Sequence, residues 1–213
     1  MFIQLSQLLP SYFEKDKING SEIWDKEIVF TKGEHVHIIA PSGSGKTSII
    51  HFIYGLRKDY SGDIFYNKKN ITDLSLEQFS SFRKQNISVV FQDLRLFADQ
   101  TVRENLELKR QLDPYHPPQK IEEMAIRLGI GSKLNSLAKT CSYGEQQRIA
   151  IIRSLLQPFD FLLLDEPFSH LDDANRLKAF ELIKEECELR NASMIFADLK
   201  LLDFFKDDRI LKL

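Results

Sequence analysis

Residues 141–172 read CSYGEQQRIAIIRSLLQPFDFLLLDEPFSHLD, and this stretch decides the fold. It begins with Ser142, Gly144 and Glu145, which are expected to form a short polar loop that opens an amphipathic helix. Such a helix start can hold an anion, because its free backbone N–H groups and its dipole both favour negative charge. The first half of the stretch therefore predicts an anion-binding helix start.

The second half of the same stretch is an apolar run that ends in two adjacent carboxylates. Residues 161–164 are all apolar and predict a buried strand. Asp165 and Glu166 follow directly, at the C-terminal end of that strand. Because ligands bind at the C-terminal ends of strands in open α/β sheets, this pair predicts a functional site.

The overall composition is that of a globular protein with balanced charge. The chain has 213 residues, 29 Lys and Arg against 31 Asp and Glu, and 43% hydrophobic residues. This balance argues against a nucleic-acid partner, and Cys141 and Cys187 form no disulfide or metal pattern, which favours a reducing cytoplasm. No apolar run reaches the roughly 18 to 20 residues that span a bilayer, and the N-terminal run lacks a basic signal-peptide region. A membrane role is therefore expected to come through a partner.

Short apolar runs and glycine-rich breaks predict the order of strands and helices. Strands are expected at residues 2–8, 27–30, 35–39, 64–66, 87–91, 161–164, 193–197 and 209–213. Helices are expected at 48–54 and 76–84 and just before the last strand, with a turn at 61–63. Residues 93–138 have a mostly helical pattern, so an inserted helical lobe is expected from 93 to about 150.

Residues 40–47 read APSGSGKT and lie between a predicted strand and a predicted helix. They match the phosphate-binding pattern G-x-x-x-x-G-K-[ST], except for Ala40 at the first glycine position. Lys46 is expected to bridge the β- and γ-phosphates, and Thr47 to place its hydroxyl on Mg²⁺. The expected ATP-binding residues are Ala40, Pro41, Ser42, Gly43, Ser44, Gly45, Lys46, Thr47 and Ser48.

Together these motifs resemble the nucleotide-binding subunit of an ATP-binding cassette (ABC) transporter over essentially the whole chain. Residues 40–47 are similar to the Walker A motif, and Gln92 in VVFQD to the Q-loop glutamine. CSYGEQQR is similar to the family signature, LLLDEP to Walker B and SHLD to the D-loop. The resemblance implies one α/β P-loop NTPase domain with a mostly parallel sheet, an antiparallel β subdomain and a helical subdomain. Its core would be 1–92 and about 151–213, with about 93–150 helical.

The resemblance also implies catalytic roles for residues at one site. Asp165 would hold Mg²⁺ together with Thr47 and Gln92, and Glu166 would act as general base or position the attacking water. Gln92 would sense the γ-phosphate and pass that state to the helical lobe. Glu166, Gln92 and Lys46 would thus be catalytic, with ATP and Mg²⁺ as the bound species.

The same resemblance implies a second copy of the chain. Ser142, Gly144 and Glu145 would contact ATP held by that second subunit, so that two cassettes close head-to-tail around two ATPs. An aromatic residue near the N-terminus would stack on adenine. Tyr12 is the candidate, with Phe13 next, although both positions also suit core packing.

The chain departs from the family pattern at three positions, Ala40, Tyr143 and Ala197. Tyr143 stands where the signature has its first glycine, the residue that adopts positive φ freely. FAD at 196–198 stands where the family has T-H-D, which puts Ala197 at the switch histidine; a shift of one would put Asp198 there. Losing that histidine removes a few kcal/mol of transition-state stabilisation, about 10²-fold in rate, so slow hydrolysis is expected.

The partner is expected to be a membrane-spanning subunit on the cytoplasmic face of the inner membrane. Residues 91–106 are similar to cassettes of lipoprotein release, macrolide export and cell division, whereas DEPFSHLD also resembles importer cassettes. The surface around 92–97 is expected to bind a coupling helix. The alternatives are an ATP-dependent regulatory clamp with little turnover, and a soluble cassette protein of translation or DNA repair.

Overall fold

A computed structural model of the protein describes residues 1–13, 18–201 and 209–213. The strands in these residues are β1 Phe2–Pro10, β2 Glu27–Thr31, β3 His35–Ile39, β4 Tyr60–Tyr66, β5 Lys69–Asn70, β6 Ile87–Val90, β7 Phe161–Asp165, β8 Ser193–Asp198 and β9 Arg209–Lys212. The α-helices are α1 Lys46–Ile53, α2 Leu76–Gln85, α3 Val102–Leu112, α4 Gln119–Arg127, α5 Tyr143–Leu155 and α6 Asp173–Arg190. The helix expected before the last strand falls in 202–208, outside the described residues.

A parallel sheet in the order β6-β7-β8-β3-β9 forms the centre of the described structure. Every residue of β7 is buried, because apolar clusters cover both faces of the sheet. Leu162 and Leu164 pack with residues of α5 and α6, whereas Phe161 and Leu163 pack with residues of α1. A continuous apolar run therefore suits this strand, and the α/β P-loop fold class is confirmed.

The second sheet is antiparallel, in the order β2-β1-β4-β5. The turn predicted at 61–63 is wrong, because Ser61 and Asp63 pair with β1 across an irregularity in its register. Gly62 sits at this bulge with φ of 82°, and a Cβ there would lie 2.3 Å from the Gln7 carbonyl oxygen. The glycine thus permits a close approach of two strands, a role that local turn composition does not distinguish from a loop.

The helical segment follows the predicted pattern up to the signature. Helices α3 and α4 are separated by residues 113–118, which include Pro114, Pro117 and Pro118. The predicted polar loop is wrong in part: Ser142 is the N-cap of α5, but Gly144 and Glu145 lie inside its first turn. Ser142 and Glu145 form a capping box, which favours starting the helix this early. Because α5 runs to Leu155, the predicted lobe boundary near 150 falls inside a helix.

Within the described residues, none of the helices combines the length and the apolar character that a bilayer crossing requires.

Candidate nucleotide-binding site

The glycine-rich loop between β3 and α1 is shaped by an aromatic residue beneath it. Gly45 caps α1 with φ of 101°, and a Cβ there would lie 2.8 Å from the Trp24 ring and 3.0 Å from the Phe13 ring. Trp24 is fully buried and donates its indole N–H to the Ser44 carbonyl at 3.1 Å. Glycine is therefore required at 45 both by conformation and by space. Sequence reasoning missed Trp24, whose only signal was being the single tryptophan of the chain.

The alanine at the first position of the loop fits without strain. Ala40 is buried and does not have a positive φ, so its backbone needs no glycine. Its N–H donates to the Asp198 carbonyl at 3.1 Å, which ties the loop to the end of β8. Helix α1 begins at Lys46, two residues earlier than predicted, so Lys46 and Thr47 both lie in its first turn.

Lys46 places a positive charge inside the loop. Its ammonium donates to the carbonyls of Ala40 and Pro41, each at 3.1 Å, and lies 3.5 Å from Glu166 Oε1. The side chain is only 5% exposed. A buried cation beside the free N–H groups of a helix start forms a site for a phosphate group.

Asp165 carries a buried carboxylate, and neither of its oxygens has a hydrogen bond of good geometry among the described residues. Its burial raises its pKa to about 6; the nearby Thr47 hydroxyl opposes this rise, and the charge of Glu166 adds to it. A buried carboxylate without a partner is costly, and a divalent cation would satisfy it. Thr47 Oγ1 and Gln92 Oε1 lie 3.3 Å from each other and supply the further oxygen donors that Mg²⁺ prefers. These residues fit a Mg²⁺ ion.

No cluster of three or more His, Cys, Asp or Glu side chains suited to a metal occurs in residues 1–13, 18–201 and 209–213. A Mg²⁺ site does not require one, because this ion is commonly held by one or two carboxylates together with substrate phosphates and water. The donor set around Asp165 is of that kind.

Glu166 follows β7 with a backbone that is unusual for a non-glycine residue. Its φ is 46°, in the left-handed region, and such residues cluster at functional sites. Three bonds hold it there: its N–H donates to the Ala197 carbonyl at 2.9 Å, and its carbonyl accepts from the Gln147 amide at 3.2 Å and from the Ser169 N–H at 3.3 Å. Its carboxylate lies 3.5 Å from both the Lys46 ammonium and the Gln92 amide nitrogen.

Gln147 is a functional residue that sequence reasoning missed. Its fully buried amide donates to the Glu166 carbonyl and to Ser169 Oγ, both at 3.2 Å, and accepts from the His170 N–H at 3.0 Å. One side chain on α5 thus makes three hydrogen bonds to Glu166 and the loop that follows it. The sequence does not distinguish it from Gln146, because both are glutamines on the same helix.

The structure brings Tyr12 beside the phosphate loop. Its hydroxyl lies 2.5 Å from Ser48 Oγ, and its ring contacts Phe13 edge-on at 5.3 Å between ring centres. Both aromatic residues line a cavity of about 270 Å³. The other residues that line this cavity are Ser42, Gly43, Gly45, Lys46, Thr47, Ser48, Gln92 and Glu166.

The signature residues have a different environment. Ser142, Gly144 and Glu145 do not line that cavity. A Cβ at Gly144 would lie 2.9 Å from the His170 carbonyl oxygen, so the D-loop leaves no room for a side chain. The Glu145 carboxylate accepts from the Ser142 N–H at 2.7 Å, and this bond lowers the pKa of Glu145.

Tyr143 does not need the backbone freedom of the glycine that it replaces. It is the first residue of α5 and its φ is not positive, so the expected conflict with positive φ does not occur. Its ring contacts His170 edge-on at 4.2 Å between ring centres, and its hydroxyl donates to the Gln92 carbonyl at 3.2 Å.

Comparison with known proteins agrees with this geometry. Residues 25–169, which include the phosphate loop, Gln92 and both carboxylates, match the family model described as ABC transporter. The chain belongs to the ABC transporter family. It is an ATP-binding cassette, and cassettes of this family are ATPases that work with membrane transporter components and dimerise.

Similar proteins come from several branches of this family. The chain is 37% identical to a thiamine import ATP-binding protein ThiQ of Haemophilus influenzae, over 76% of this chain and 74% of that protein. It is 36% identical to the cell division ATP-binding protein FtsE of the same species, over 72% and 71%. It is 28% identical to the lipoprotein-releasing system ATP-binding protein LolD of Idiomarina loihiensis, over 88% and 85%. These similarities do not select one biological role.

Solved cassettes have the same fold. The dimeric structure of MJ0796, a bacterial ABC transporter cassette, superposes with a TM-score of 0.81 at 25% identity, over 99% of this chain and 94% of that chain. A dimeric post-hydrolysis state of MJ0796 bound to ADP and Pi gives a TM-score of 0.80 at 25% identity, over 93% and 88%.

Proposed function

We propose that this ABC cassette powers a membrane transporter or mechanotransmission complex by slow ATP hydrolysis in a closing dimer. The observation that carries the proposal is the convergence of Lys46, Thr47, Gln92 and Glu166 on one cavity, with the buried carboxylate of Asp165 behind them. A buried cation, hydroxyl and amide donors and two carboxylates are the groups that phosphoryl transfer requires.

Each side chain has a distinct part in the proposed reaction. Lys46 holds the β- and γ-phosphates, while Thr47, Gln92 and Asp165 hold Mg²⁺. When bound, this ion neutralises charge on the phosphate oxygens. Glu166 orients the attacking water and accepts its proton, because its backbone is fixed and its carboxylate lies between the Lys46 and Gln92 side chains. Most of the catalysis then comes from positioning and electrostatics.

Slow turnover is the part of the proposal that the residues at the end of β8 support. Ala197 is assigned to the histidine position, where a methyl group donates no hydrogen bond to a γ-phosphate, and it pairs with Asp165 in the sheet. The next residue, Asp198, is a carboxyl whose pKa is raised by burial and by the charge of Glu166. The missing donor lowers the rate by about 10²-fold.

A second candidate function is favoured by the same observation. With Ala197 at the histidine position, ATP binding and dimer closure can be retained while turnover is lost. The cassette would then act as an ATP-dependent clamp that regulates its partner. The two candidates differ only in the rate of phosphate release.

The dimer is proposed to be a homodimer with two ATP sites. Ser142, Gly144 and Glu145 contact ATP in the partner's site, and the absence of these residues from the lining of the chain's own cavity supports this assignment. Tyr12 stacks on adenine, supported by its place on the rim of the same cavity. No nucleic-acid partner is proposed, because the net charge is near zero, at −2.

The membrane partner is proposed to dock a coupling helix on the surface around 92–97, at the cytoplasmic face of the inner membrane. Phe97 supports this placement, because its apolar ring is 57% exposed beside the Q-loop. An exposed aromatic residue next to a groove is a typical anchor for an amphipathic helix.

The test is to measure phosphate release and ATP-dependent dimerisation of the purified protein, alone and with its membrane partner. We expect a low but measurable turnover that E166Q abolishes, and an ATP-dependent dimer that E166Q stabilises. A dimer whose phosphate release equals that of E166Q would establish the clamp instead. Failure to bind ATP, or turnover as fast as in ordinary cassettes, would contradict the proposal.

A further inference from the structure

Tyr143 joins two parts of the cassette that serve different nucleotides in the proposed dimer. It lies between Ser142 and Gly144, which are assigned to the partner's ATP. Its hydroxyl nevertheless donates to the main-chain carbonyl of Gln92, in the chain's own site, at 3.2 Å. The ring contacts His170 edge-on at 4.2 Å between ring centres, which favours this orientation of the hydroxyl.

The loop that follows Gln92 has a strained backbone. Leu94 and Arg95 are consecutive non-glycine residues in the left-handed region, with φ of 55° and 49°. Such residues persist only where the surrounding structure holds them. Arg153, at the other end of α5, donates to the Leu94 carbonyl at 2.6 Å and to the Arg95 carbonyl at 2.7 Å.

Helix α5 therefore holds the loop at two points. Tyr143 and Arg153 are ten residues apart, which corresponds to about 15 Å along a helix axis. Between them they bond to three main-chain carbonyls of the loop, those of Gln92, Leu94 and Arg95. A loop held at both ends by one rigid element cannot shift without breaking one of these bonds.

The side chain of Gln92 is engaged on the opposite side. Its Oε1 accepts from the Thr47 hydroxyl at 3.3 Å, and its Nε2 lies 3.5 Å from Glu166 Oε2. Fixing the Gln92 main chain therefore restricts the position from which its amide reaches the two groups assigned to Mg²⁺ and the attacking water.

We propose that Tyr143 is a positioning residue that aligns Gln92 in the chain's own site, and so couples this site to the signature segment that faces the partner's ATP. The inference rests on the proposed ATPase function of the site. Tyr143 acts through the Gln92 main chain and is not assigned any contact with nucleotide.

The test compares Y143F with Y115F. Y143F keeps the ring that contacts His170 and removes only the hydroxyl. Tyr115 is a matched control, because it is 41% exposed against 45% for Tyr143, and its ring packs on Arg190 away from the site. Hydrogen exchange of residues 92–97 in nucleotide-free protein is measured first, because it does not depend on turnover.

One neutral hydrogen bond corresponds to about a twofold to tenfold change in an equilibrium or rate. We expect exchange in 92–97 to be faster by that factor in Y143F, and kcat to fall by that factor. The Mg²⁺ concentration for half-maximal activity should rise, while KM for ATP changes by less than about twofold. In an E166Q background, ATP-dependent dimerisation should be the same with and without Y143F.

Exchange in 92–97 equal to that of Y115F would overturn the inference. So would a defect of Y143F confined to dimerisation, because Tyr143 would then act on the partner's site. If the wild-type protein showed no ATP turnover, the proposed function would fail, while the exchange comparison would still decide whether Tyr143 fixes the loop.

Discussion

Replacing Gln147 with leucine tests whether one buried amide holds the catalytic loop. The change replaces the amide with an apolar group of similar size and removes one bond each to the Glu166 carbonyl, Ser169 Oγ and the His170 N–H. Ser169 and His170 are exposed, so water can replace their lost bonds, and the Glu166 carbonyl keeps the Ser169 N–H. At about 1 kcal/mol for a lost hydrogen bond, we expect Q147L to lower the free energy of unfolding by about 1 to 2 kcal/mol.

The same change should reduce catalysis more than it reduces ATP binding. Without Gln147, the left-handed backbone of Glu166 keeps its bonds to the Ala197 carbonyl and the Ser169 N–H but loses its tie to helix α5. A shift of about 1 Å in a catalytic group lowers the rate by up to about 10²-fold. We expect kcat to fall by about 10-fold to 10²-fold, with the Kd for ATP changed by less than about threefold.

Q146L is the matched control, because Gln146 lies on the same helix and makes a bond at 2.9 Å to the Cys141 carbonyl. Urea unfolding and phosphate release at saturating ATP are measured for both variants and the wild type. Q146L should stay within about 1 kcal/mol of the wild type. Equal unfolding midpoints and equal kcat for Q147L and Q146L would refute the reasoning.

Three further predictions concern other parts of the site. If Ala197 occupies the histidine position as proposed, A197H should raise kcat by about 10²-fold, measured as phosphate release of a variant shown by circular dichroism to fold, because Ala197 is fully buried. Asp165 binds its proton more tightly when folded, with a pKa of about 6 against 3.8, so stability should fall as pH rises through this window. D165N should remove this fall, which amounts to about 2 kcal/mol between pH 4 and pH 7, in metal-free urea unfolding at these two pH values. G45A should abolish ATP binding, measured by calorimetry, because its Cβ would meet Trp24 at 2.8 Å where φ is already 101°.

Each of these has an opposite outcome that would count against it. An A197H enzyme no faster than the wild type would mean that position 197 does not face the γ-phosphate. Identical pH dependence for D165N and wild type would mean that Asp165 is ionised without cost. Normal ATP affinity in G45A would mean that the Trp24 ring moves enough to make room for the added methyl group.

Local pattern predicted the strands and the phosphate loop, because both depend on residues that are neighbours in sequence. Strand β3 has the predicted bounds, His35–Ile39, and Lys46 follows it as the motif requires. Features made by distant residues were not predictable in this way. The sequence around Gly62 is typical of a turn, and its role becomes visible only when Gln7 lies opposite it on the neighbouring strand. Trp24 belongs to no motif that would indicate its contact with a loop twenty residues later in the chain.

Within the signature, the roles of Tyr143 and Gln147 depend on the geometry of helix α5, which the sequence alone does not give. The sequence identifies Tyr143 only as a departure from glycine. Its helical backbone and its bond to Gln92 depend on where α5 begins, which the capping box of Ser142 and Glu145 determines. Gln147 likewise becomes distinct from Gln146 only when the loop after Glu166 lies against the helix.

Two adjacent signature positions differ in their tolerance to mutation. The side chain at 143 projects outward, where a tyrosine fits, whereas any Cβ at 144 meets the His170 carbonyl at 2.9 Å. In a saturation library selected for folded protein, position 143 should accept many residue types and position 144 essentially glycine alone. Drift at the first glycine is thus compatible with folding, while drift at the second would push the neighbouring D-loop out of place.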